Sequence, residues 1–388
     1  MGEIVQPGEM QIIGIAQSES LGMRKGHIAE VEYTAKALED TLTHLERQTG
    51  VEISGALVGF SGAGISSLEN RAAIAVKSPT REITKEDKER IMQSVCQMDL
   101  EPDKALVQAI IKQFAVDGFD GVREPVGMAG RRLEAWATLI VTSLLDVQNI
   151  YRLAEYVDIT IESLVYNPLL AAESVLLPTE KDIGVVLLDI GGETIDVSFF
   201  HSGSLTNVSV IPIGDEYLVK DLSLVLRTSW KEAVHIKEKY GVADPDKLRG
   251  NLYVKVGNIQ GNDNQKVSQK TIAEIISARW LEMIKLVYVE LKAIDIIDRI
   301  PAGLVLTGGG AGLSGIVELV ESNCGLPVRL GIPKSVSDIT SDLFHPIYAN
   351  VLGGLQYINK NFDMKQFEIK GVPKAWDIIT YWVKYLFR

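Results

Sequence analysis

Within residues 184–200, GVVLLDIGGETIDVSFF, two carboxylates stand either side of a glycine pair: Asp189 and Asp196 flank Gly191, Gly192, Glu193 and Thr194. The glycines let the backbone bend tightly and approach a ligand closely. Successive amide N–H groups in such a bend can form an anion-binding concavity. The two aspartates could hold a divalent cation through water. The chemistry suggested is phosphate with a metal, but an ordinary hairpin would use the same residues, and this stretch alone does not choose between the two.

A second stretch shifts the balance. Residues 303–316, GLVLTGGGAGLSGI, place Gly308, Gly309 and Gly310 between an apolar run and a helix pattern. Amides at a helix N-terminus favour phosphate. The two strand–glycine units are more than a hundred residues apart, and they could close on one ligand from two sides, one from each of two opposed lobes.

The elements that must position these bends follow from periodicity. Residues 185–188 form a continuous apolar run suited to a buried strand, with a second strand at 194–200 and a third at 205–211. Helices are expected at 215–226, 230–240 and 268–294. Beyond them come a strand at 304, a helix ending near 322, a short strand at 328 and a small-residue helix at 345–357. In the first half, strands are expected at 3–5, 10–17, 53–60 and 71–76. A helix over 28–48 carries Val31, Ala35, Leu38, Leu42 and Leu45 on one face and stops at Gly50. Thr84 and Asp87 have the spacing of a capping box and open a helix running to about residue 98. Strands near 105–116 and 132–142 and helices at 144–156 and 168–177 complete this half.

Composition bounds the function. The chain has 388 residues, 46% hydrophobic and 23% charged, a globular profile with room for roughly two to four domains. A net charge of −12 argues against nucleic acid as a partner, because phosphate-backbone binding needs a basic surface. Cys96 and Cys324 make neither a disulfide framework nor a metal cluster, which suits a reducing cytoplasm. The histidines His27, His44, His201, His235 and His345 lack metal-ligand spacing. No apolar run approaches the roughly 20 residues that span a bilayer. Ser61-Gly62-Ala63-Gly64 reads as a plain loop and Trp280 as core.

Three antiparallel strands, helices and two further strands describe the second half, and the first half repeats that order from its third strand onward. An internal duplication is expected. Residues 3–5 followed by Pro7-Gly8 read as a cut strand, so Met1 is expected to be an internal methionine of a longer natural chain.

Taken together, several segments resemble the FtsA family of bacterial cell-division proteins, within the actin-like ATPase superfamily: IIGIAQSESLGMRKGHI at 12–28, FAVDG at 114–118, PVGMAG at 125–130, LLDIGGETID at 187–196, EAVHIKEKYG at 232–241 and LVLTGGGAGLSGI at 304–316. The resemblance implies an α/β, actin-like (ribonuclease H-like) duplicated fold with a small inserted α+β domain and a C-terminal amphipathic helix. It implies a first lobe at 1–79 and 159–183, the insert at 80–158, a second lobe at 184–229 and 302–358, and a helical/β subdomain at 230–301. A linker at 359–373 and the terminal helix at 374–388 would follow. It implies ATP with Mg2+ as cofactor, held by Asp189, Gly191, Gly192, Thr194 and Asp196 as the phosphate-2 loop. Gly308, Gly309 and Gly310 would lie along the nucleotide, Lys237 near the adenosine, and Asp189 would hold Mg2+ through water. The partners implied are the FtsZ polymer, met by the 230–301 subdomain, other division proteins, and further copies of the chain in filaments, partly through the insert.

The departures from the family pattern bear on activity. The family loop reads D-I-G-G-G-T-T-D, whereas Glu193 replaces the third glycine and Ile195 the second threonine. A carboxylate beside a triphosphate costs roughly several kcal/mol where screening is poor. Val234 stands where the family tends to place a glutamate, removing an acceptor for ribose hydroxyls. The expectation is therefore a nucleotide-binding scaffold rather than an enzyme. A superfamily ATPase, kinase or chaperone-like enzyme, or a scaffold like the pilus-assembly adaptor PilM, is the alternative.

Residues 374–388, KAWDIITYWVKYLFR, supply the remaining signal. At about 100° per residue, Trp376, Ile379, Trp382, Val383, Leu386 and Phe387 share one arc, and Lys374, Asp377, Tyr381, Lys384 and Arg388 the other. Three cations and one acid make this segment +2 on a chain of −12. Such a helix suits the interface of an anionic membrane, although docking on the body would use the same pattern. The expected location is the cytoplasmic face of the cell membrane at the division site.

Overall fold

The computed structural model describes residues 1–6, 9–78, 80–250, 252–257, 265–334 and 343–361. The first half opens with two hairpins, β1 (Gly2–Gln6) with β2 (Glu9–Ile12) and β3 (Met23–Arg24) with β4 (His27–Ile28). Helix α1 (Val31–Thr49) ends where Gly50 turns left-handed at φ 70°. There follow β5 (Gly55–Phe60), β6 (Ser66–Ala75), α2 (Lys85–Cys96), β7 (Lys104–Val116), β8 (Phe119–Val122) and β9 (Arg132–Ser143). Next come α3 (Leu144–Tyr156), β10 (Thr160–Tyr166), α4 (Asn167–Val175) and α5 (Pro178–Ile183).

The second half contains β11 (Val185–Ile190), β12 (Ile195–His201), β13 (Ser204–Ile211), α6 (Glu216–Val225) and α7 (Trp230–Tyr240). A hairpin of β14 (Tyr253–Val256) and β15 (Gln265–Ser268) leads into α8 (Gln269–Ala293). The remaining elements are β16 (Leu304–Thr307), α9 (Ile316–Cys324), β17 (Val328–Leu330) and α10 (Ala349–Asn361).

Five strands form one sheet in the order β13-β12-β11-β16-β17, with β11, β16 and β17 parallel and β11, β12 and β13 antiparallel. Along β11 the side chains alternate between two cores. Val186, Leu188 and Ile190 join the core that includes Leu218, Ile276 and Leu319 of α6, α8 and α9. Val185 and Leu187 join Ala171, Ala172 and Val175 of α4. Burial on both faces explains the unbroken apolar run at the head of this strand.

The duplication is visible in connectivity. Helix α8, strand β16, helix α9, strand β17 and helix α10 repeat the order of α1, β5, α3, β10 and α4. The strand pair is parallel each time, β5 with β10 and β16 with β17. Helices α4 and α10 cross closely: a Cβ at Gly353 would fall 1.8 Å from the Leu170 carbonyl oxygen, and Ala171 and Ala172 are fully buried.

The inserted unit begins earlier and ends sooner than its expected bounds of 80 and 158. Its sheet, in the order β6-β9-β7-β8, takes in β6 through ten paired positions with β9 and closes at Ser143. Helix α3, which follows, packs on α1, β4 and β10 as well as on β9 and β7. The polar start of β6, Ser66-Ser67-Leu68-Glu69-Asn70, hid its first half, so the strand expected at 71–76 opens at Ser66. The capping box of α2 forms as expected: the Thr84 hydroxyl accepts from Asp87 N–H at 3.2 Å, and Thr84 N–H donates to the Asp87 carboxylate at 3.1 Å. The insert bears on the outer strand of the five-stranded sheet: Val208 N–H donates to Ser67 Oγ at 2.9 Å, and Thr138 Oγ1 donates to the Leu205 carbonyl at 2.9 Å.

Two other expectations change. The strand expected at 10–17 stops at Ile12, and the β10 strand, for which the sequence raised no expectation, completes the pair with β5. Helix α10 runs to Asn361. The rest of the expected linker and the whole amphipathic segment, Trp376, Ile379, Trp382, Val383, Lys384, Leu386, Phe387 and Arg388 included, lie outside the described residues. Among the described residues, no helix is long and apolar enough to cross a membrane.

Candidate functional site

The antiparallel register of β11 and β12 sets Asp189 directly opposite Asp196, so both carboxylates stand at one end of the sheet. The turn between them closes through Gly191 N–H, which donates to the Thr194 carbonyl at 2.9 Å, and Thr194 is itself buried. The start of α6 braces this turn. Asp215 N–H donates to the Gly191 carbonyl at 2.9 Å and Glu216 N–H to the Gly192 carbonyl at 2.8 Å.

Because β16 runs parallel beside β11, with Thr307 across from Asp189, its glycine bend leaves the same end of the sheet. The expectation that the two bends approach from opposed lobes is therefore corrected: they lie side by side on neighbouring strands. The fit is close. A Cβ at Gly308 would fall 2.4 Å from Asp189 Oδ1 and 2.6 Å from the Ile190 carbonyl oxygen. One at Gly310 would fall 2.4 Å from Ile190 Cγ2 and 3.1 Å from Asp215 Cβ. Gly309 meets only Ile347, at 3.7 Å. Lys237, on α7, forms an ion pair with Asp215, which joins it to the bends through the residue that braces them.

The first half supplies the donors that meet Asp196 and Glu193, and α10 the one that meets Asp189. Ser61 Oγ and, at 3.1 Å, the Tyr166 hydroxyl both donate to Asp196 Oδ1. Asn350, at the start of α10, donates its Nδ2 to Asp189 Oδ2 at 2.8 Å. Glu193 reaches out of its turn and accepts from the backbone N–H of Lys25, at the tip of the β3–β4 hairpin. Ser61 lies in the string expected to be a plain loop; its glycines were the available signal. Tyr166 and Asn350 carried no signal, since nothing local marks a tyrosine at a strand end or an asparagine in a helix as facing a carboxylate 30 or 161 residues away. Trp280 is core, as expected, and His27 is satisfied by Asp146 at 2.8 Å.

Electrostatics at the sheet end are dominated by crowded acid. Burial, and then the charge of Asp189, push the Asp196 carboxyl up to about 7, against the hydrogen bonds from Ser61 and Tyr166. Burial also raises Asp189, with Asn350 opposing. Glu216 is raised by burial and by Glu193 and Asp215, while Arg24 and Lys237 pull it back. Two buried carboxylates facing one another, with glycine backbone on the open side, fit a cation carried by an anionic ligand. Among the described residues no cluster of three or more acidic, histidine or cysteine side chains could hold a metal by itself.

A duplicated α/β fold whose parallel strands deliver two glycine bends to one sheet end is that of an actin-like protein. The comparisons make the class specific. Residues 186–353 match the family described as cell division protein FtsA, and residues 62–141 match the SHS2 domain inserted in that family. The chain is 32% identical to the cell division protein FtsA of Pseudomonas aeruginosa, over 96% of this chain and 89% of that one. It is 34% identical to the FtsA of Bacillus subtilis, over 91% of this chain and 79% of that one. A solved chain from the PilM-PilN type IV pilus biogenesis complex has the same fold, with a TM-score of 0.61 at 13% identity, over 92% of this chain and 94% of that one. The chain belongs to the FtsA family of cell-division proteins.

Proposed function

We propose that this chain binds ATP with Mg2+ at the sheet end and works as a membrane-tethered scaffold that holds the FtsZ polymer at the division site. One observation carries the nucleotide part: Gly308 lies against the Asp189 carboxylate, which joins the two bends in a single site. Asp189, Gly191, Gly192, Thr194 and Asp196 would line the phosphates, Gly308, Gly309 and Gly310 the length of the nucleotide, and Lys237 its nucleoside end. Asp189 would reach the metal through water. The bound nucleotide would supply a rigid anionic bridge across the site, and turnover is not expected to be part of the role. Self-association and contact with other division proteins accompany this role in the proposal. The segregation of aromatic and aliphatic residues from basic ones onto opposite arcs of 374–388 supports the membrane part.

Flotation with anionic vesicles tests the scaffold reading. The full chain should rise with the vesicles and carry FtsZ with it. Trp382→Glu puts a charge on the apolar arc and should reduce the floated fraction at least tenfold, in line with the cost of placing a charged side chain in lipid. Flotation that is unchanged by Trp382→Glu would reject the tail as the anchor.

A further inference from the structure

The β3–β4 hairpin turns through Lys25 and Gly26, both left-handed at φ 48° and 79°. In a two-residue hairpin turn, the amide of the first turn residue has no partner on the opposite strand. Such an amide must find an acceptor elsewhere or remain in water. Here the acceptor is the Glu193 carboxylate, which arrives from the turn between β11 and β12, 168 residues further along the chain. The hairpin tip is held from its other side as well. Ala63 N–H donates to the Lys25 carbonyl at 3.0 Å, and a Cβ at Gly26 would fall 2.4 Å from Gly62 Cα, so the tip rests against the loop that carries Ser61. Ser61 in turn bonds Asp196. Glu193, Lys25, Ala63, Ser61 and Asp196 thus close a ring of contacts around the mouth of the site.

Charge at the tip favours an anion there. Arg24 acts on Glu216 across the mouth, and Lys25 itself is cationic and exposed. We propose that the Lys25 amide is an anion-accepting position and that Glu193 is its built-in occupant: a carboxylate latch that holds the hairpin to the β11–β12 turn and competes with a ligand phosphate for the same donor. The ligand class, a nucleotide phosphate, rests on the nucleotide reading above, whereas the latch rests on the contact itself. A phosphate entering the mouth would have to displace Glu193 from Lys25, and the freed carboxylate would have to swing to solvent. Nucleotide affinity is therefore reduced by a contact that costs nothing when the site is empty.

Hydrogen exchange of the hairpin amides in the full chain separates these two statements. Without nucleotide, the amides of residues 23–28 should exchange at least tenfold faster in Glu193→Gly than in wild type, the factor expected from losing a charge-assisted hydrogen bond. Glu193→Gln keeps an acceptor oxygen without the charge and should fall between them. Lys25→Ala keeps the backbone donor but removes one cation, and should lose less protection than Glu193→Gly. MgATP should bind Glu193→Gly at least fivefold more tightly than wild type. Equal exchange in wild type and Glu193→Gly would overturn the latch, as would a loss of protection in Lys25→Ala as large as that in Glu193→Gly. Unchanged MgATP affinity alongside altered exchange would overturn the competition. Altered exchange with no MgATP binding to either protein would uphold the latch and remove the nucleotide reading instead.

Discussion

Replacing Asp196 by asparagine should reduce a fall in stability expected of the wild-type protein as the pH rises from about 4 toward about 7. The sign follows from proton counting. In the unfolded chain this carboxyl titrates at its ordinary value of 3.8, whereas burial and the charge of Asp189 raise it to about 7 in the folded state. Between these values the folded protein binds more protons than the unfolded one, so stability is highest on the acid side and is lost as the pH climbs through the folded value. About three pH units at about 1.4 kcal/mol each give an effect on the order of 4 kcal/mol. Both donors, Ser61 and Tyr166, bond the Oδ1 atom of Asp196, and an asparagine oxygen can accept from both. Glu173 and Glu180 work in the opposite sense. Burial raises them, but Lys181 for the one and Arg329 for the other bring both below the usual range. Their contribution is present above the unfolded values and lost as the pH falls. Urea unfolding at steps between pH 4 and 8 should therefore show wild type losing more stability with rising pH than Asp196→Asn, in which buried Asp189 still titrates above its ordinary value. Parallel profiles would mean that the carboxyl is not charged against a penalty in the folded state.

Gly308→Ala should cost about 2–4 kcal/mol of stability and weaken MgATP binding more than tenfold. At φ 83° and ψ 174°, Gly308 occupies a region that only glycine adopts without strain. Its added methyl would also meet the Asp189 carboxylate and the backbone of Ile190. The ends of β11 and β16 would have to separate to admit it. Gly309→Ala is the matched control, since the methyl there meets only ordinary contacts near Ile347, and it should cost under about 1 kcal/mol. Calorimetric unfolding and nucleotide titration on the same samples read both effects. Equal losses in the two variants would show that the bend at Gly308 tolerates a side chain.

Much of this arrangement was legible before any coordinates. The second-half sheet could be read because β11 and β16 are short apolar runs ending at glycine, and because buried parallel strands leave that signature. Helices α7 and α8 could be read as helices from the sequence, and the structure adds their caps, Ser229 and Ser268. What could not be read were facts about register. Nothing local states that Thr307 pairs with Asp189, and without that pairing the two bends could as well have faced each other across a cleft. The strand β10 was missed because Thr160–Tyr166 mixes Glu162 and Ser163 with its apolar residues and follows a helix without a strong break. The start of the insert was missed for a related reason: the first half of β6, Ser66–Asn70, is mostly polar, and it is a strand because it pairs with β9 rather than because of its own composition. Glu193 was visible as a misfit among glycines, but its partner in the β3–β4 hairpin was not, because a backbone donor has no residue type to read.

The hydroxyls of Ser67 and Thr138, set against the backbone of β13, also bear on what this edge of the sheet can pair with. A sheet's outermost strand normally offers unpaired N–H and C=O groups that another chain can use. On β13, the Val208 donor and the Leu205 acceptor are already taken by side chains of the inserted domain. Another strand therefore cannot use the Val208 N–H or the Leu205 C=O while the inserted domain holds them.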